Sequence, residues 1–425
     1  MSRLPLAVIP VLGGRFFTQL AFGPIFTLVI VRLTDLGFDA RVAALVQTSS
    51  MTGLIIGSFF AYRLINRLRH VRAYGLFAGA VGGCAILYSA LPPPVPWFAI
   101  AFVMGASSFG ITVVVESWLQ HLAGNERRGQ IMSFYMIIGQ AAGAIGLLVV
   151  DWFDALTAAP FLFFAGLMIV SPLPMLAARH HMPSVRRPRR LSLAALYRVS
   201  PLGIVATFVS GIVMGSQFGL SAVFALSRGD GFFGPGTYMA AVLVGGMVTM
   251  YPVGWLSDRI DRRRVMLGVF VALAVAAVGL TLAADQRWWL LVMAAVVGGL
   301  AAATYPLATS YVNDFLSDDQ RVSANSGLML AFSIGLLAGP LPAAQVMDMA
   351  GPTGLYHYIS VISVLAALYT LWRMTRRPAP PRHEAEFMPA VVTPLARPST
   401  YGLPDRPPAV ATADEKPFVS EADKR

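Results

Sequence analysis

The chain has 425 residues, of which only 53 (32 basic plus 21 acidic) are charged, 12% where a soluble globular domain carries roughly 25%. Hydrophobic types make up 56% and mean hydropathy is +0.66, which excludes a water-soluble fold of this size and an intrinsically disordered chain. What remains is an all-α polytopic membrane protein, in which each crossing takes about 20 apolar residues. The net charge of +11 is spread over short loops between apolar runs and points to membrane orientation, not to nucleic acid.

Met1-Ser2-Arg3 followed by an apolar run resembles a secretory leader. The run continues to Val31 without a small-x-small cleavage site after Leu12, so it reads as an uncleaved first span over Leu4–Arg32. Five more spans follow at Val42–Leu64, Ala73–Leu91, Pro96–Leu119, Gln130–Trp152 and Ala158–Ala178. Cys84, the one cysteine, lies inside the third and excludes an intrachain disulfide. The basic stretch 179–200 closes a first bundle (1–178) and reads as a linker, solvated or bound to anionic lipid heads. A second bundle (201–375) carries Pro201–Leu226, Thr237–Leu256, Val265–Ala284, Trp288–Val312, Val322–Met347 and Thr353–Met374, making twelve spans. Residues 376–425 contain ten prolines and no apolar span, and are expected to be a disordered cytoplasmic tail.

An even number of spans puts both termini on one side. Up to Arg377, that side carries 21 arginines and the other side four (Arg32, Arg41, Arg228 and Arg287). The positive-inside asymmetry places the termini in the cytoplasm of a bacterial-type inner membrane.

The two bundles are nearly equal in length and repeat internally. Gly139-x-x-x-Gly143 matches Gly335-x-x-x-Gly339 at an offset of 196. Gly13, Thr18-Gln19 and Phe26 match Gly211, Ser216-Gln217 and Phe224 at 198, and Gly57 matches Gly254 at 197. Six spans per unit insert both units the same way up, a parallel repeat about the membrane normal.

After the eighth span stands Gly254-Trp-Leu-Ser-Asp258-Arg259-Ile-Asp261-Arg262-Arg263-Arg264. This resembles the major facilitator superfamily signature Gly-x-x-x-Asp-Arg-x-Gly-Arg-Arg/Lys, departing from it at Asp261. The first-half copy keeps Gly57 and the cluster Arg67, Arg69 and Arg72 but lacks the acid. Val115-Glu116-Ser117-Trp118-Leu119, Arg127-Arg128-Gly129 with Tyr135, Ala303-Thr-Tyr305-Pro306, Asn313-Asp314 and Gly335-x-x-x-Gly339-Pro340 are similar to the YcaD-like branch. The resemblance covers Leu4–Met374. It implies a twelve-helix transporter working by alternating access, with the first, fourth, seventh and tenth helices lining its cavity. It makes Gly254, Asp258, Arg259, Arg262, Arg263 and Arg264 a conformational motif, whose arginines either pair with acids of neighbouring loops or simply set orientation.

Arg15 lies about eleven residues into the first span, roughly 15 Å deep, and its repeat position is Val213. A charge there must face a cavity or a partner. With Thr18 and Gln19 on its face, it either lines the cavity for an anionic or carbonyl-bearing solute or pairs structurally with a buried acid or helix-end carbonyls. Ser108, Thr112 and Glu116 form one stripe on the fourth helix. Glu116, two or three residues from the expected helix end, either carries a coupling proton or pairs with Arg127, Arg128 or an arginine of a neighbouring loop; Arg15 stands about two turns away in depth, so direct pairing with it is open but not expected. Gln217, Thr304 and Tyr305 are the second-half cavity candidates. Pro306 is expected to kink or unwind the tenth helix, and Gly335-x-x-x-Gly339-Pro340 to permit close contact and a bend. His357 fits an interfacial position.

No phosphate loop, dinucleotide fingerprint, metal-spaced His/Cys set or nucleophile elbow is found, so neither a cofactor, a metal nor an enzyme is expected. The expected partners are a small-molecule substrate, a coupling proton or ion and membrane lipids, with the chain acting as a monomer. The alternative is a transporter-fold receptor or scaffold that moves nothing.

Overall fold

The computed structural model describes residues 8–122, 128–176, 192–229, 233–282 and 286–376. The tail from 377, most of the linker and Arg127 lie outside them. Within the membrane every backbone N–H and C=O needs a partner from the chain itself, and the long apolar runs satisfy that requirement as helices. The first half contains α1 (Ile9–Asp35), α2 (Ala40–Leu68), α3 (His70–Ala90), α4 (Val95–Leu122), α5 (Arg128–Val150), α6 (Ala159–Val170) and α7 (Leu173–Leu176). A short α8 (Leu193–Val199) occupies the described end of the linker. The second half contains α9 (Pro201–Leu226), α10 (Pro235–Arg259), α11 (Arg262–Leu282), α12 (Arg287–Asn313), α13 (Asp318–Ala338), α14 (Pro340–Ala350) and α15 (Gly354–Arg376). Twelve helical segments among the described residues are long and apolar enough to cross a membrane; α6 with α7, and α13 with α14, each make one crossing.

Most spans run past their apolar windows by a few residues, because a helix continues through polar residues until a cap, proline or turn stops it. The second extends to Leu68 and the fourth to Leu122, beyond the expected Leu64 and Leu119. The first described helix, by contrast, begins at Ile9, with residues 1–7 outside the description. Pro306 neither breaks nor unwinds α12: the helix passes through it, and Thr309 Oγ1 donates to the carbonyls of Tyr305 and Pro306 at 3.1 and 2.9 Å. The bend expected at Pro340 is present, as the boundary between α13 and α14.

Lipid is as apolar as leucine, so these helices gain little from hiding leucines from it and associate by close backbone contact. The repeat-equivalent pairs α2/α4 and α10/α12 show the same device. A Cβ at Gly105 would stand 1.9 Å from the Ser50 carbonyl oxygen, and one at Gly245 would stand 1.8 Å from that of Ala295. Gly335 and Gly339 likewise lie against the α9 backbone, so the repeated glycine pair serves helix packing in the second half. Gly245→Ala is expected to cost stability toward the upper end of the ~1–3 kcal/mol typical of overpacking. The thermal midpoint of the purified protein in detergent checks this; Gly268→Ala, whose Cβ meets nothing within 4 Å, is the control.

Large apolar side chains such as Phe60, Val248 and Leu282 face outward, as lipid contact requires. Exposed Trp152 and Trp288 mark the arginine-poor end, where α5 stops and α12 begins. His357 is exposed near the start of α15, consistent with its expected peripheral position.

Candidate functional site

Arg15 sits six residues into α1, about 9 Å along the helix axis. Glu116 lies six residues before the end of α4 and Tyr135 seven residues after the start of α5. All three helix ends lie at the arginine-rich end, so these residues occupy one level. Glu116 thus lies deeper than the two or three residues from a helix end that the sequence suggests, and level with Arg15, because α4 continues through Gln120 and His121 to Leu122.

Tyr135 joins the two charges. Its ring lies under the Arg15 guanidinium, 4.7 Å from centroid to Cζ, while its hydroxyl donates to Glu116 Oε1 at 3.4 Å. The guanidinium also reaches the next turn of α5: a Cβ on Gly139 would stand 3.0 Å from Nε and 3.3 Å from Nη2. In the first half the repeated glycine thus makes room for a charged head, where its counterpart Gly335 meets backbone. Arg15 is 3% and Glu116 5% exposed. Arg15 Nε has no hydrogen-bond partner, and among the described residues no carboxylate lies within ion-pair distance of it. The side chain of Arg128, and all of Arg127, fall outside what is described.

Nearby, Tyr74 of α3 donates to the Gly14 carbonyl at 2.9 Å, tying α1 to α3 beside Arg15. Thr18 turns its hydroxyl back onto the carbonyls of Gly14 and Arg15, at 3.2 and 3.0 Å, so it is spent on its own helix. Gln19 is buried on the same helix. The hydroxyls of Ser108 and Thr112 are buried on α4 without a hydrogen-bond partner.

The second-half candidates divide. Gln217 is 1% exposed with Nε2 unpartnered, and it lines a pocket between the halves. The pocket is a narrow gap with room for about one water, walled by Gln140 of α5, Met214 and Phe218 of α9, Val242 and Leu243 of α10, and glycine and alanine positions of α10 and α12. Thr304 and Tyr305 do not line it. Thr304 donates to the Ala301 carbonyl at 2.7 Å, and Tyr305 packs on Phe332 with its hydroxyl 3.7 Å from Met329 Sδ. The α12 face toward the pocket is that of Gly298 and Ala302, one turn away. Sequence reasoning also missed Gln140, although a glutamine in an apolar span beside the repeated Gly139 was a readable signal.

The motif after α10 forms a charge network at the arginine-rich end. Arg262 Nη2 reaches Asp258 Oδ1 at 3.2 Å, and its Nε reaches Asp314 Oδ2, at the end of α12, at 3.0 Å. Arg262 and Asp314 are both buried. Arg263 pairs with Asp261 at 2.7 Å, and Arg259 stacks on Trp255 with Cζ 3.6 Å from the ring centroid. Arg264 is exposed, its backbone N–H donating to the Asp261 carbonyl at 2.9 Å. Gly254 is buried one turn before Asp258. Burial alone would raise the Asp261 carboxyl; hydrogen bonds from the Arg263 side chain and backbone, with the charges of Arg263 and Arg264, outweigh it and hold the group below the usual carboxylate range. The departure from the signature at 261 therefore supplies a second acid to the arginine cluster.

The described residues contain no group of three or more His, Cys, Asp or Glu placed to hold a metal ion. A family model described as Major Facilitator Superfamily matches residues 11–249 and 205–412. The chain is 26% identical, over 390 residues, to "Uncharacterized MFS-type transporter YcaD" of Salmonella newport (strain SL254) and to the protein so named in Salmonella typhi, covering 90% of this chain and 100% of each relative. Among solved structures it is similar to the nucleoside transporter NupG, with a TM-score of 0.71 at 15% identity over 88% of this chain and 100% of that one. It is also similar to a bacterial homolog of the human lysosomal transporter Spinster, with a TM-score of 0.66 at 14% identity over 89% and 100%. Twelve spans in two six-span repeats, the signature network after α10 and the family match together make the chain a multi-pass membrane protein of the major facilitator superfamily.

Proposed function

We propose that the protein is a secondary active transporter that carries a small organic solute across the inner membrane by alternating access, with its arginine-rich end and both termini cytoplasmic. The preferred solute bears an anionic or carbonyl group, and the chain acts as a monomer. The observation that carries this reading is Arg15: a buried guanidinium with an unpartnered Nε, held against Tyr135 by the absence of a side chain at Gly139. A cation–π contact is worth up to about 2 kcal/mol when desolvated, whereas a charged side chain within a membrane costs about 2.5–3.5 kcal/mol or more. A ligand anion closes that gap. Gln217 Nε2 is a second buried donor without a partner, in a separate narrow gap walled by Met214, Phe218, Val242 and Leu243 that would have to widen to admit the solute. Glu116 on the far side of Tyr135 is the group positioned to exchange a coupling proton.

The superfamily and the solved transporters of like fold support movement of a solute, and the cavity residues favour an oxygen-rich one. In proteoliposomes holding the purified protein, an imposed pH gradient is expected to drive uptake of one or more members of a panel of small radiolabelled carboxylates, above protein-free liposomes. Absence of flux for every carboxylate and neutral carbonyl solute, from protein that binds them, would favour the receptor or scaffold reading instead.

A further inference from the structure

We infer that two repeat-related aspartates, Asp151 and Asp348, latch the halves together at the arginine-poor end and set how readily that mouth opens. Asp151 follows the last residue of α5 and reaches across to the first turn of α10 in the other half. Its Oδ1 accepts from the Gly236 N–H and its Oδ2 from the Thr237 N–H, each at 2.7 Å. The N-cap position of α10 is Gly234, with Pro235 next, and no local side chain caps the helix. Its first-turn donors are thus met by a carboxylate 85 residues away, with the charge that the positive end of a helix dipole favours. Gly234 and Gly236 permit the approach, since a Cβ at either would stand 2.3 or 2.8 Å from Asp151 side-chain atoms.

Asp348, near the end of α14, forms an ion pair with Arg41 in the first turn of α2. The offset from Asp151 to Asp348 is 348 − 151 = 197, the same as from Gly57 to Gly254. In each case an acid at the end of the fifth span of one repeat meets the start of the second span of the other. The partners differ: backbone amides alone in one, an arginine in the other. Arg41 carries the unfavourable sign for a helix N-terminus, so the visiting carboxylate offsets it.

The two latches are unequal. The Arg41 and Asp348 side chains are 57% and 27% exposed, where ion pairs contribute little. Asp151 makes two short charge-assisted bonds to donors that no local side chain serves, so it holds more strongly. Between them, Gly219 packs on Gln47 and Gly143 on Leu243, closing the same interface. When the mouth opens, both carboxylates must leave their helix starts together.

The test measures the mouth directly. Spin labels on Leu36→Cys and Leu282→Cys, both exposed at this end and one in each half, are placed in a Cys84→Ser background, and their separation is read by double electron–electron resonance. The parent is expected to give mainly a short distance. Asp151→Asn should raise the ratio of long to short distances about tenfold, equivalent to about 1.4 kcal/mol, and Asp348→Asn about two- to threefold. The Arg41→Asp/Asp348→Arg exchange should return toward the parent distribution. Asp151→Ala/Gly234→Ser separates latching from capping: the serine gives α10 its own cap, so the thermal midpoint should recover while the long distance persists. An unchanged distribution in the Asp151→Asn/Asp348→Asn double variant, or return of the short distance with Gly234→Ser, would overturn the latch and leave Asp151 as a helix cap only.

Discussion

Arg15→Gln is expected to lower solute transport about 30- to 100-fold, as judged by kcat/KM in proteoliposomes, yet to leave the protein as stable as its parent or more stable. The transport loss corresponds to a charge-assisted interaction of about 2–3 kcal/mol. The stability result is the discriminating part. If Arg15 were one member of a structural ion pair, removing it would strand a buried acid and cost about 3–5 kcal/mol. The nearest arrangement in the structure is different: Tyr135 stands between Arg15 and Glu116, with its ring toward one and its hydroxyl toward the other. Tyr135 can keep its hydrogen bond to Glu116 when the guanidinium is gone. Glutamine is two bonds shorter, so its amide ends where Arg15 Nε stands beside Gly139 and does not reach the guanidinium position, while the desolvation cost of the cation disappears. A fall in thermal midpoint comparable with that of a broken buried pair, with flux unchanged, would assign Arg15 to the scaffold and remove the anion site.

Asp314→Asn is expected to cost about 1.5–3 kcal/mol, because it removes the buried partner of Arg262 and leaves the guanidinium paired with the more exposed Asp258. Asp258→Asn should cost no more than about 1 kcal/mol, since that carboxylate is 38% exposed and water replaces much of what it provides. The signature's own acid is therefore the weaker partner of Arg262. The stronger one is Asp314, at the end of α12, so the bridge locks the α10–α11 connection to α12 within the second half. Denaturation of the purified variants ranks the two. Equal losses would show that Arg262 depends on the signature aspartate as much as on Asp314.

The second-half network and the first-half charge cluster differ in how far the sequence reveals them. The spacing of Gly254, Asp258 and the arginines is local, so the motif and its place after the eighth span are readable in the chain itself. The identity of Asp314 as partner is not, because 52 residues separate it from Arg262 and only the packing of α10, α11 and α12 brings them together. Arg15 stands out as a charge in an apolar run. Its environment could not be read the same way, since it depends on Tyr135 and Gly139 of α5, chosen by the rotation of α1 against that helix. Thr304 and Tyr305 show the converse. They are polar positions on a helix that does flank the pocket, but they lie on its packed face, while Gly298 and Ala302 face the opening.

The membrane as solvent, the number of crossings, the doubled architecture and the superfamily are legible in the chain, because hydropathy, repeat offsets and a loop motif are properties of short stretches read in order. Its scarcity of charge also singled out Arg15 and Glu116. Only packing between distant helices brings these two onto one tyrosine, puts Gln217 and Gln140 in the wall of one pocket that Thr304 and Tyr305 do not line, and makes Asp151 cap a helix of the other repeat. The physical reason is that lipid does not distinguish one face of an apolar helix from another. Rotation and partner are set by close packing at glycines and by where buried polar atoms find each other, and both are contacts between residues far apart in the chain.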